Sequence, residues 1–153
     1  MMMKKAFLLL FILALALALA ACGNGAMTED EAAPESGPVI DYGESELYSQ
    51  EDMAAAVALI QNEFAGWEGC ELHSVTYAGD ECVTDDNIEW MNKLKDGQSV
   101  DGPEFTQVIE FLSDFHSPVE GGGAWNADDE YTDWQWWLAR AEGGDWHLLT
   151  WGY

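Results

Sequence analysis

Tyr131-Thr-Asp-Trp-Gln-Trp-Trp-Leu-Ala-Arg140 constrains the fold more than any other stretch of this chain. Tryptophan, tyrosine and threonine carry bulk near the backbone, which suits a pleated surface and fits a helix poorly. Strict alternation sorts Thr132, Trp134, Trp136, Leu138 and Arg140 onto one face and Asp133, Gln135, Trp137 and Ala139 onto the other. The first face reads as buried. The segment is therefore predicted to be the central strand of a small antiparallel sheet.

Its neighbours follow from register. Glu142-Gly143-Gly144-Asp145 is a turn signal. A loop centred on the glycines sets Arg140 opposite His147, Leu138 opposite Leu149, Trp136 opposite Trp151 and Trp134 opposite Tyr153. Upstream, Glu104 to His116 also alternates, with Phe105, Ile109, Phe111 and Phe115 on one side. Placing Phe111 beside Trp136 and Ile109 beside Leu138 extends one apolar face across three strands. A slip of one residue would bury the unpaired carboxylate of Glu110 among tryptophans, at considerable cost.

At the other end of the chain, Lys4 and Lys5 precede an apolar run that ends in small residues by Ala21. The run is shorter than the ~18 to 20 residues of a spanning helix and reads as an export signal. Leu19-Ala20-Ala21-Cys22-Gly23 follows, and it resembles the lipobox of bacterial lipoproteins. The resemblance implies cleavage before Cys22 and a diacylglyceryl group on its thiol, holding the chain on the extracytoplasmic side of the cell membrane. Residues 1–21 are then signal peptide. Residues 22–46, rich in Gly, Ala, Pro, Ser and acids, are expected to be a lipidated, self-repelling tether.

Past the leader the basic residues are Lys93, Lys95 and Arg140, against 29 acidic ones: 3 − 29 = −26. A chain this acidic is not expected to bind nucleic acid. Residues 47–153 are expected to form one α+β domain. Ser49 and Asp52 resemble a capping box, and Met53, Val57, Ile60 and Phe64 recur at helical spacing up to Gly66. Glu71 to Ala78 reads as a strand, and Thr84 caps a short helix through Leu94. A straight strand at 71–78 runs about 26 Å, which argues against a Cys70–Cys82 bridge.

The candidate sites are few. Asp128, Asp129, Glu130 and Asp133 offer hard oxygens of the kind calcium takes, as does Asp85-Asp86-Asn87-Ile88-Glu89, but neither run has the spacing of an EF-hand. Each also reads as ordinary solvated acid. His73, His116 and His147 have no metal-ligand spacing. The register places Gln107, Arg140 and His147 in one row beside the apolar field of Trp134, Trp136, Trp151 and Tyr153. That constellation could hold a small anionic ligand, or it is a sheet end where Arg140 pairs with an acid. The opposite face, with Val108, Leu112, Trp137, Ala139, Trp146 and Leu148, is too apolar to stay uncovered. The second helix or a homodimer through Trp137 would cover it.

The order helix, strand, short helix, antiparallel meander resembles the NTF2-like and cystatin-like superfamilies. That implies a long N-terminal helix packed on a curved antiparallel sheet with a C-terminal three-strand meander. Trp134 to Arg140 and Trp146-His-Leu-Leu-Thr-Trp-Gly-Tyr153 are also similar to small acidic lipoproteins of Gram-positive anaerobes, a resemblance that implies no activity. The reading is a non-enzymatic binding or interaction module anchored to the membrane by lipid on Cys22, partnered by a small anionic ligand or a protein, and needing no cofactor. The alternatives are an NTF2-like lipoprotein enzyme using His147 or His116 as acid or base, and a calcium-binding or structural acidic surface protein.

Overall fold

A computed structural model describes residues 37–153. The leader, Cys22 and residues 22–36 of the expected tether lie outside them. Among the described residues, no helix is long and apolar enough to cross a membrane.

Five strands form one sheet in the order of the chain: β1 (Val39–Asp41), β2 (Glu71–Tyr77), β3 (Gln107–His116), β4 (Glu130–Arg140) and β5 (His147–Gly152). Two helices connect them, α1 (Gln50–Phe64) between β1 and β2, and α2 (Asp85–Gln98) between β2 and β3. This corrects the expected fold class. The sheet is mixed rather than antiparallel, because β1 pairs parallel with β2. A helical crossover returns the chain to its starting end, so the strands on either side run the same way. The leading helix spans 15 residues and follows a strand. The strands outweigh the helices, and the NTF2-like and cystatin-like resemblance does not describe this arrangement. Strand β1 also takes in residues assigned to the tether.

Local chemistry accounts for the helix ends. The Ser49 hydroxyl accepts the Asp52 N–H at 3.1 Å while Asp52 Oδ2 accepts the Ser49 N–H at 3.2 Å, a reciprocal box that satisfies two otherwise orphaned donors. Thr84 does half of this for α2, accepting from Asn87 N at 3.2 Å.

The helices lie on opposite faces. α1 buries Met53, Ala56, Val57, Ile60 and Phe64 against Val75, Ile109, Phe111, Phe115, Trp136 and Leu138. α2 buries Met91 in a second cluster with Cys82, Phe105, Val108, Trp137, Ala139 and Leu149, and Trp90 packs edge-on against Trp137 at 5.3 Å. The face considered for a homodimer contact at Trp137 is thus occupied by the second helix. Cys70 and Cys82 are free thiols, and burial pushes Cys82 up to about 11.

Strands β3 and β4 pair with Gln107 opposite Arg140, Ile109 opposite Leu138 and Phe111 opposite Trp136. Three bulges interrupt the alternation elsewhere. In β4 the step from Trp134 to Tyr131 faces a step of only Ser113 to Phe115, and Asp133 takes a φ of 55° there. The extra residue carries Tyr131 onto the aromatic face, ring-stacked on Phe115 at 4.8 Å, and leaves Thr132 exposed. In β5 the partner of Leu138 is Leu148 and that of Ala139 is His147. Leu149 is the inserted residue, and everything before it in β5 changes face. A third shift falls between Leu72 and Ser74.

Candidate functional site

The bulge in β5 dissolves the expected row. Gln107 and Arg140 do meet, Arg140 Nε donating to Gln107 Oε1 at 2.6 Å. His147, turned to the other face, is exposed and packs on Phe105 with ring centres 5.5 Å apart. It lines a small hollow of about 140 Å³ with Asp101, Pro103 and Asp145. Trp146 takes its place, its ring 4.2 Å beneath the Arg140 guanidinium. Arg140 Nη1 donates to Asp52 Oδ1 at 2.7 Å, and the Trp146 indole N–H donates to the Asp52 carbonyl at 3.0 Å. The guanidinium is therefore committed to the α1 N-terminus. It lines a hollow of about 310 Å³ with Ala55, Leu59 and Trp146, but its charge already faces a carboxylate.

The acidic quartet is dispersed as well. Asp128 and Glu130 turn onto His116, whose Nε2 lies 3.0 Å from Asp128 Oδ1 and whose Nδ1 lies 2.7 Å from Glu130 Oε1. Glu130 Oε2 also faces His73 Nδ1 at 3.6 Å. Asp129 accepts from Asn126 Nδ2 at 3.0 Å, and the Asp133 N–H donates to Asp114. Among the described residues, no group of three or more His, Cys, Asp and Glu side chains could hold a metal ion. Asp128, Asp129, Glu130 and Asp133, expected as calcium ligands, do not gather into one such group.

Both nitrogens of His116 face carboxylate oxygens, which only an imidazolium can satisfy with two donors. Its pKa is raised from 6.5 by the hydrogen bond to Asp128 and then that to Glu130. A raised pKa contributes stability that is complete below the unfolded-state value and fades as pH rises through the folded-state value. Thermal denaturation is therefore expected to show stability falling as pH rises past the ordinary imidazole value, and His116→Gln should flatten that fall. An imidazole titrating at its ordinary value by NMR would refute the clamp.

The other expected ligand residues do gather, around one the sequence did not mark. Trp67 sits in the loop after α1, where its N–H donates to the Phe64 carbonyl at 2.9 Å and its own carbonyl accepts from Cys70 at 3.1 Å. Its ring stacks on Trp136 at 5.1 Å and touches Phe64 at 4.9 Å, Trp125 at 4.8 Å and Phe115 at 5.5 Å. Trp134 and Trp151 stand slightly farther off, at 6.1 and 6.4 Å. Tyr153, largely exposed, packs edge-on against Trp134. The Trp134 indole N–H is buried without an acceptor among the described residues. Trp67 lies outside any periodic element. Only its isolation between Gly66 and Gly69 could have singled it out.

Two loops shape this end. Gly69 has a φ of +77°, and a side chain there would meet the Pro118 ring at 2.9 Å, so the α1–β2 loop can press against the β3–β4 loop only with glycine at this position. The β3–β4 loop is held from inside by Ser117, fully buried, which accepts from Asp129 N at 2.9 Å and donates to the Asn126 carbonyl at 2.7 Å. The Asn126 N–H donates to Tyr131 Oη at 2.9 Å. Between the loops is a cleft of about 450 Å³ lined by Gly66, Trp67, Glu68, Gly121, Gly122, Gly123 and Trp125. A wider depression of about 540 Å³ runs along residues 42–46. There the Asp80 carboxylate is already satisfied by Ser45, the Glu46 N–H and the Tyr77 hydroxyl.

No family model matches the chain, and neither the curated proteins nor the solved structures contain a match to it.

Proposed function

We propose that the chain is a lipid-anchored, extracytoplasmic binding module, non-enzymatic, whose ligand seat is the cleft between Trp67 and Trp125. The observation that carries the reading is the position of Trp67. It joins the buried aromatic cluster to a concave surface, so a rigid platform of indole rings stands at the wall of a ligand-sized cleft. Aromatic walls with one carboxylate at the rim supply contact area and orientation together. The anchoring half of the proposal rests on Leu19 to Cys22 and the acidic stretch after it.

The acid–base alternative has less support. His116 has both nitrogens against carboxylates, and the His147 ring stands at the surface beside Phe105. Neither histidine lines the aromatic cleft.

Native mass spectrometry of the detergent-solubilised chain after exposure to an extract of culture medium tests the reading. A discrete small-molecule adduct is expected, and Trp125→Ala should remove most of it. An adduct retained in full by that variant would place the seat elsewhere, and no adduct at all would shift the weight to a structural role.

A further inference from the structure

We infer that the cleft is gated by proton concentration: the His116 imidazolium latches the Asp128 limb of the β3–β4 loop, and loss of its proton releases that limb and loosens the cleft wall at Gly121. The inference rests on the binding role proposed above and adds its regulation.

The latch is drawn from four segments. β3 supplies His116, the loop supplies Asp128 against Nε2 at 3.0 Å, and β4 supplies Glu130 against Nδ1 at 2.7 Å. From β2, His73 faces the other Glu130 oxygen at 3.6 Å, and Glu71 is the strand partner of His116. A neutral imidazole has one N–H and one lone pair, so without its proton His116 must turn a lone pair toward one of its two carboxylates. Glu130 keeps the shorter contact and has His73 besides, so Asp128 is the one released. Its backbone favours the same outcome. Asp128 has a φ of 53°, in the left-handed region that side chains disfavour, so the latch holds it away from its preferred conformation.

Pro118 carries this to the cleft. Its carbonyl accepts the Asp128 N–H at 2.9 Å and the Gly121 N–H at 2.8 Å. One oxygen thus ties the latched limb to a residue that lines the cleft. Gly121 also lies close against that limb, since a side chain there would meet the Ala127 backbone at 3.4 Å. Ser117 meanwhile holds Asp129 and Asn126 through neutral hydrogen bonds, so the stem of the loop stays closed while the Asp128 limb yields. The direction follows from charge. Hydrogen bonds to Asp128 and then Glu130 keep His116 protonated above the ordinary imidazole value. The cleft is latched at and below that value, and loosens as pH rises through the raised one.

Hydrogen exchange tests the latch without a ligand. The isotope-labelled full chain in detergent micelles is followed by NMR between about pH 5 and about pH 9, with exchange corrected for its intrinsic pH dependence. The Gly121 and Asp128 amides are the reporters, because both bond to Pro118. Their protection is expected to fall together by about threefold to fivefold as His116 titrates, while the Ser117 and Asp129 amides hold. Asp128→Asn should abolish the step and keep protection high, because its amide can donate to the neutral imidazole and asparagine tolerates the left-handed backbone. His116→Gln should abolish the step too. A step that survives in either variant overturns the inference, as does Gly121 protection that ignores the titration of His116. The medium-extract adduct is then scored at both ends of the range. Less adduct at the alkaline end in the native chain but not in Asp128→Asn supports the gate, and equal adduct in the native chain overturns it. No adduct at either end, beside an intact exchange step, would discard the binding role and keep the latch.

Discussion

Trp136→Ala is expected to destabilise the domain by about 4 to 5 kcal/mol and lower Tm by roughly 20 °C. The side chain is fully buried and central to the sheet, stacked on Trp67 and in contact with Trp151. Its indole N–H donates to the buried Ser113 hydroxyl at 2.8 Å. Alanine would remove the ring, open a cavity against α1 and leave Ser113 unpaired. Those losses approach the total stability of a domain this size, about 0.05 to 0.15 kcal/mol per residue. Trp136→Phe separates the contributions, since it retains most of the packing and loses the hydrogen bond, for about 1 to 2 kcal/mol. Thermal unfolding followed by circular dichroism reads both. A change under about 5 °C for alanine would mean that Trp136 is not the keystone of the aromatic core.

Arg140→Ala is expected to cost about 2 to 3 kcal/mol, between the value of an exposed ion pair and that of a buried one. Its partner Asp52 is about one-third exposed, which places the pair in that intermediate range. Arg140 ties β4 to β3 through Gln107 and to α1 through Asp52, and it covers Trp146. The Asp52 carboxyl is held below its usual range by the Ser49 hydroxyl first and by Arg140 second. A depressed carboxyl contributes stability above its unfolded-state pKa, and that stability is lost as pH falls through the folded-state value. Denaturant melts across acidic pH should therefore show a steeper loss in the native protein than in Arg140→Ala. A double-mutant cycle with Asp52→Asn isolates the coupling, and additivity there would deny the bridge.

How far the sequence carried these points depended on periodicity. The alternation of Phe111, Ile109, Trp136 and Leu138 fixes which faces meet between two long strands, because a slip of one residue buries Glu110. Capping boxes are local, so Ser49 and Asp52 announced α1 directly. Bulges leave no trace in a strict alternation. The single inserted residue at Leu149 moved His147 off the arginine row, and another near Asp133 brought Tyr131 into the cluster. Val39–Asp41 is too short, among Pro, Ser and acids, to stand out as a strand, and without it the sheet looks purely antiparallel. Trp67 had no repeating pattern to belong to, and only the folding of two distant loops onto each other reveals its role.

Strand β1 has a mechanical consequence. It is an edge strand of three residues, held to the sheet by the pairs Val39 with Ser74, Ile40 with Val75 and Asp41 with Thr76. Under the proposed lipid anchor, tension entering from the N-terminal side would reach these pairs before any other strand of the sheet. The load would strip β1 while the long β3–β4 ladder stays closed, lengthening the suspension by a few residues. The aromatic cleft lies across Trp67 and the β3–β4 loop and takes no lining residue from β1. In the binding role proposed above, grip on a ligand would thus outlast the first yield under drag.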